Sequence, residues 1–332
     1  MAYNAKWERV EAALKGAPVD RVPFTFWMHF PQVDQNARAL AETTVDLHRR
    51  YDMDVVKVMF RSSWGLEDWG ATFDGYHPTR SYYLPKTYPV RTPEDWTKLK
   101  PLDPTKGVLG EQLGILRMVR DALQGDAPIL ATLFAPSMLA SHAAGRDTFV
   151  RHLREQPDAL HAGLRTMSET LTAFARACLA NGADGIFYAI QEASRRVLTD
   201  AEYQSIGRVY DRPVLESFHG NSKLTMLHLH GEELMFDELA SYPSHVLNWY
   251  DRFGGPSLKA ARRLTSKCLA GGIDHERNMV LGMPDEVAAE VRDAVAQVGG
   301  RGLILAPGCG VPLLVSQQNL EAARRAALVP PG

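Results

Sequence analysis

Eight short apolar runs punctuate this chain, at 22–27, 55–60, 128–134, 185–190, 224–229, 245–249, 268–273 and 302–306, with amphipathic stretches between them. Each is 5 to 7 residues long, and most are rich in Val, Ile, Leu, Phe or Tyr. Continuous runs of that length suit parallel strands buried on both faces. Helical signals fill the gaps. Apolar residues recur at 113, 116, 119 and 123 ahead of Gly125. Leu160, Leu164, Met167, Leu171 and Phe174 share one face of 157–179, before an Asn181-Gly182 stop. Stretches 257–264 and 284–298 read the same way, the second opening Pro-Asp-Glu and closing on Gly299-Gly300. Strand–helix alternation repeated eight times predicts an α/β fold, a closed (β/α)8 or TIM barrel spanning 1–332 as one domain. A doubly wound open sheet competes, but no Gly-x-Gly-x-x-Gly follows the first run.

The gap over 61–127 is too long for one helix. Within 64–91 stand Trp64, Trp69, Phe73, Tyr76, Tyr82, Tyr83 and Tyr88, spaced by Gly and Pro. The expectation is an ordered insertion after strand two, a lid over the barrel mouth with a hairpin in it, followed by a helix; an aromatic satellite core is the alternative.

Composition excludes several classes. With 37 basic and 39 acidic residues the formal charge is -2, and no basic stripe tracks phosphates, so nucleic acid is not an expected partner. No run of about 18 apolar residues exists to span a membrane. Met1 to Trp7 lacks the apolar stretch of a signal peptide, and 3 scattered cysteines make no disulfide framework. The expected setting is the cytoplasm.

Barrel chemistry collects where strands end, so the residues after each run matter most. They include Met28-His29-Phe30, Arg61-Ser62-Ser63, Ala135-Pro136-Ser137, Gln191-Glu192, His228-Leu229-His230, Tyr250-Asp251-Arg252, Asp274-His275 and Gly308-Cys309-Gly310. His228 and His230 lie two apart in an extended segment and share a face. Two imidazoles and a thiolate with room for another ligand suit a catalytic zinc. A His-x-His pair is also compatible with surface or hydrogen-bonded core, and a buried Cys with plain packing. Glu192, Asp251 and Asp274 are candidate acids that salt bridges explain equally well. Cys178 and Cys268 fall on apolar faces and read as packing.

In order and spacing, several segments resemble the uroporphyrinogen decarboxylase family. They are Asp20-Arg21-Val22-Pro23, Asn181-Gly182-Ala183-Asp184-Gly185-Ile186, Leu227-His228-Leu229-His230-Gly231, Gly271-Gly272-Ile273-Asp274, Leu305-Ala306-Pro307-Gly308-Cys309-Gly310-Val311-Pro312 and Asn319-Leu320-Glu321-Ala322. That superfamily of (β/α)8 barrels also contains zinc-dependent corrinoid and coenzyme M methyltransferases. True decarboxylases hold their polycarboxylate with arginines in a Met-Arg-Gln-Ala-Gly-Arg segment; here that stretch reads Met28-His29-Phe30-Pro31-Gln32. The family's catalytic Asp gives way to Arg61-Ser62-Ser63, its active-site Tyr aligns with His142, and its Gly-His-Gly is Gly308-Cys309-Gly310. A polycarboxylate without fixed cations would leave unpaired charge.

The methyltransferase branch is closer. It carries zinc ligands in His-x-Cys-Gly on strand five and Pro-Gly-Cys-Gly on strand eight; His228 and Cys309 match, and His230 replaces the middle cysteine. The resemblance implies zinc on His228, His230 and Cys309, with Glu192 or a water completing the shell. It further implies a pocket lined by His29, Arg61, His142, Gln191 and Asp251. A small thiol or similar nucleophile would accept a methyl group from a corrinoid on a separate protein, the enzyme being a monomer or homodimer. The alternatives are decarboxylation of uroporphyrinogen or a smaller substrate, and a non-catalytic tetrapyrrole-binding paralogue.

Overall fold

A computed structural model describes residues 5–330, so four of the seven N-terminal residues considered above lie outside it. The strands are β1 (Val56–Val58), β2 (Thr72–Phe73), β3 (Pro85–Thr87), β4 (Ile129–Phe134), β5 (Gly185–Ile190), β6 (Leu224–Leu229), β7 (Val246–Trp249), β8 (Cys268–Ile273) and β9 (Leu303–Pro307). All but β2 and β3 form one seven-stranded sheet in the order β1-β4-β5-β6-β7-β8-β9, every pair parallel. Seven of the eight apolar runs are therefore ladder strands, in chain order, with helices between them. Every residue of β5, β6 and β8 is buried, as expected for strands covered on both faces.

The run at 22–27 departs from expectation, because it forms no ladder strand. Phe24 makes a single parallel bridge to Leu305, with Thr25 N donating to Leu305 O at 3.0 Å and Leu305 N to Pro23 O at 2.8 Å. Pro23 has no N–H to extend that ladder. On its other side the run meets the β1 edge: Asp54 N donates to Phe24 O at 2.8 Å and Thr25 Oγ1 to Val55 O at 2.7 Å. Asp54 also anchors it from below. Its fully buried carboxylate accepts from Phe24 N (2.8 Å), Arg9 Nη1 (2.6 Å) and Arg21 Nη1 (2.5 Å).

The helices follow the sequence signals closely. The helix Pro284–Val298 opens on its proline and stops at Gly299, whose φ of 61° suits a residue without Cβ. The helix Pro157–Ala180 buries Leu160, Leu164, Met167, Leu171 and Phe174.

Between β1 and β4 lie the antiparallel pair β2–β3, a short helix Pro93–Lys98 and the helix Gly107–Leu123. The aromatic residues there divide between core and surface. Trp64 is buried, its ring 5.2 Å from both Phe134 and Phe174, so it belongs to the core. Tyr83 is also buried; its hydroxyl donates to Asp34 and to Pro31 O, tying the hairpin to the loop after the first run. Tyr76, Tyr82 and Tyr88 stay exposed. Among the described residues no helix is long and apolar enough to cross a membrane.

Candidate metal centre

His228 is the fifth residue of β6, and its neighbour across the ladder is Asn248 of β7. His230 lies just past β6, but its N–H still donates to Ile190 O at 2.8 Å. The chain thus stays extended, and both imidazoles leave from one face. Their ring centres are 5.7 Å apart. Cys309 arrives from β9 through Gly308, where a Cβ would stand 3.1 Å from Tyr250 Cα and 3.2 Å from Trp249 O. A Cβ there would press on the Trp249–Tyr250 backbone by a few tenths of an ångström, so a glycine before the cysteine eases the approach. One ligand atom from each of His228, His230 and Cys309 falls within 4.8 Å of the others, the one such cluster of three among the described residues.

The surrounding hydrogen bonds fix which nitrogen is free. The Asn248 amide nitrogen donates to Ala270 O and Pro307 O, both at 3.0 Å, so its oxygen must face His228. His228 Nδ1 lies 2.6 Å from that oxygen and therefore carries the proton. Nε2 keeps its lone pair. The Tyr250 hydroxyl is 2.9 Å from His230 Nδ1, and Cys309 Sγ is 3.6 Å from the same atom.

Burial and mutual charge shift all three donors. Burial pushes the Cys309 thiol up, but the hydrogen bond and charge of His228, with contacts from Tyr250 and Gly310, outweigh it and hold the thiol below its ordinary value. Burial lowers His228, with Cys309 opposing. It takes His230 down to about 4, aided by Arg146 and opposed by Glu192. Two imidazoles and a thiol held below its ordinary value are donors that suit a borderline-soft cation.

The other expected residues divide. His142 and Gln191 meet, Nε2 to Oε1 at 3.0 Å, close enough for His230 to act on His142. His29 keeps a buried Nδ1 without a partner, and its pKa falls to about 3 through burial and the charge of Lys57. Glu192 is fully buried with neither carboxylate oxygen hydrogen-bonded, 3.5 Å from Arg146, and is not one of the clustered three. Two others have their charge engaged within the scaffold. Arg61 is spent on ion pairs with Glu67 (2.7 Å) and Glu111 (2.9 Å). Asp251 turns against β8, accepting from Gly272 N at 2.9 Å and pairing with Arg252 at 3.5 Å. Both charges are satisfied within the scaffold.

Tyr250 and His275, named above only as strand-end residues, are neighbours of the cluster, and two more, Asn248 and Lys57, carry no such signal of position. His275 is buried with its ring 4.8 Å from Tyr250. Phe187 stacks on His228 with ring centres 5.0 Å apart, and Lys57 Nζ sits 4.2 Å from the same Phe187 centre. Burial brings Lys57 down to about 7, against the pull of Cys309. A different signal was present: Lys57 and Asn248 are polar residues inside otherwise apolar runs, where a buried polar group needs a reason.

Known proteins agree with this architecture. Residues 5–327 match the family model described as uroporphyrinogen decarboxylase (URO-D). The methylcobamide:CoM methyltransferase MtbA of Methanosarcina acetivorans is 25% identical over 341 positions, covering 96% of both chains. A uroporphyrinogen decarboxylase of Trichodesmium erythraeum is 24% identical over 245 positions, covering 70% of this chain and 66% of its own. Among solved structures, a methyltransferase from Methanosarcina mazei has a TM-score of 0.84 over 98% of each chain at 21% identity, a likeness of fold.

Proposed function

The chain belongs to the uroporphyrinogen decarboxylase family, and from that premise we propose that it is a methyltransferase-type enzyme in which His228, His230 and Cys309 hold zinc. A thiol or similar nucleophile would be methylated there, with a corrinoid on a separate protein as the methyl donor. The carrying observation is the donor set itself: three zinc-type donors within 4.8 Å, one imidazole already fixed in its ligating tautomer. When bound, zinc on two imidazoles and one thiolate is a stronger Lewis acid than on two thiolates, and lowers the pKa of a thiol that joins it.

The chain's own residues prepare this site. Asn248 holds the His228 ring in place, and Tyr250 does the same for His230. Phe187 and Trp27, rings 5.1 Å apart, wall the site with apolar surface that excludes water. The hairpin β2–β3, tied down through Tyr83, serves as a lid, and the 22–27 segment as the eighth stave of a barrel. The decarboxylase alternative lacks support at the pocket, because the family's arginine pair is absent from 28–32 and Arg61 is committed elsewhere.

The test uses protein purified without chelator or histidine tag. Zinc-loaded protein given methylcobalamin and a small thiol should form the methyl thioether and cob(I)alamin. Coproporphyrinogen formed from uroporphyrinogen under anaerobic conditions, with no thioether, would overturn the proposal. A second outcome concerns Asn248. The Asn248→Leu variant frees the His228 ring, so zinc affinity should fall about 10–100-fold in competition with a chromophoric chelator, while saturation still reaches one ion.

A further inference from the structure

The three clustered donors offset only part of a divalent charge. As ligands, His228 and His230 are neutral and Cys309 brings one thiolate, so an ion held by them alone keeps a net positive charge. Its surroundings do not offset that charge. Phe187 stacks on His228, Trp27 packs on Phe187, and the Lys57 amine faces the same Phe187 ring. Uncompensated charge in such a place is costly. Glu192, the nearest expected carboxylate, lies 3.5 Å from Arg146 and does not join the cluster.

Tyr250, the residue after β7, brings an oxygen to the cluster. Its hydroxyl is 2.9 Å from His230 Nδ1 and 3.4 Å from Nε2, and it is in hydrogen-bonding contact with Cys309. Asn248 also touches the cluster, but its oxygen meets the protonated nitrogen of His228 and is engaged there. A tetrahedral zinc with ordinary bond lengths sets sulfur and nitrogen about 3.5 Å apart, and nitrogen and oxygen about 3.3 Å apart. Cys309 Sγ and His230 Nδ1 are 3.6 Å apart. The hydroxyl, at 2.9 Å from the same nitrogen, thus stands within about half an ångström of a fourth donor's distance. The ring is held there. Tyr250 is buried, 4.8 Å from the His275 ring and 5.2 Å from that of Phe253, and a Cβ on Gly254 would stand 2.8 Å from its own Cβ.

We propose that Tyr250 is the fourth donor to the metal, its phenolate oxygen closing the centre at rest and yielding its place to an incoming thiol. This rests on the methyltransferase reading of the same site. On metal binding the phenol proton passes to solvent, and a second anionic donor brings the centre to neutrality. The exchange with substrate is balanced. Tyr250 gives up its place to the sulfur and takes the thiol's proton, so an S–H bond breaks, an O–H bond forms, and no other base is required. With four donors from the chain itself, the resting site leaves no position for water or for Glu192.

The test titrates zinc into metal-free wild type, Tyr250→Phe and Glu192→Gln while following the near-ultraviolet difference band of ionised tyrosine. Proton release is read by calorimetry in buffers of different ionisation enthalpy. In the wild type the band should grow to the amplitude of one tyrosine among the 11 in the chain and stop at one ion. Saturating 2-mercaptoethanol should then abolish it while the ion stays bound. Tyr250→Phe should bind zinc about tenfold or more weakly, show no band and release about one proton fewer. Glu192→Gln should behave as the wild type. Zinc taken up by the wild type without the band would overturn the inference and leave the methyltransferase proposal standing. So would a band that persists in Tyr250→Phe or under saturating thiol. Protein that takes up no zinc would overturn both. The wild-type titration decides the matter even where the Phe variant fails to fold.

Discussion

Replacing Cys309 with Ala is expected to remove stoichiometric zinc from the purified protein. Wild type should carry about one ion per chain, and the variant's affinity should fall by more than the 10–100-fold that an outer contact such as Asn248 commands. The reason lies in the chemistry of the set. Cys309 supplies its only anionic donor, its thiol held below its ordinary value by His228, Tyr250 and Gly310 against the push of burial. Two neutral imidazoles alone leave the ion half-coordinated and its charge uncompensated. The other thiols provide the control. Cys178 and Cys268 are fully buried among apolar side chains, and burial pushes Cys268 up to about 12 and Cys178 higher still. Alanine at either should leave zinc content unchanged. Elemental analysis of the three variants decides the matter, and a Cys309 variant with wild-type zinc affinity would remove that residue from the ligand set.

The second large effect is on stability. Asp54→Ala should cost about 3–5 kcal/mol, because it strands the largely buried Arg21, takes one of the two carboxylates from Arg9, and leaves Phe24 N without its acceptor. For a chain of this size that corresponds to a melting temperature lower by roughly 4–7 °C. Asp54 precedes β1, at the opposite ends of the strands from His228 and Cys309, so the folded fraction should still bind zinc. The exposed pair of Arg154 and Glu202, 2.7 Å apart, is the comparison: its removal should cost less than about 1 kcal/mol. A calorimetric melt of Asp54→Ala that matches wild type would show that the three groups it satisfies find other partners.

The clustering of His228, His230 and Cys309 was legible in the sequence, and its surroundings were not. His228 and His230 could be placed on one face because an extended chain has a period of two, and that periodicity persists past the formal end of β6. Arg61 and Asp251 also follow strands, but their positions alone do not say which partners they meet. The structure turns them elsewhere, toward Glu67 and Glu111 and toward Gly272 and Arg252. Those partners are close in sequence for some contacts and distant for others, and nothing local announces which charge a side chain will meet. Trp64 shows the same thing in an apolar residue: composition suggested a lid, and packing against Phe134 and Phe174 made it core.

What the amino-acid sequence determined by itself was the architecture and the donor types. Seven buried parallel strands in chain order follow from apolar runs too short for helices and continuous enough to be covered twice, and the helix ends follow from Pro and Gly at positions where backbone geometry allows little else. Tertiary structure alone decided how those donors are tuned. Asn248 selects the His228 tautomer only because β7 lies beside β6, and Gly308, with no Cβ to press on Tyr250, eases the approach of Cys309. The Lys57 pKa falls to about 7 only because the fold buries it, with Phe187 and Trp27, from two other segments, against its amine. Periodicity is a local property of the backbone, whereas protonation state and charge balance depend on which distant groups share a low-dielectric space.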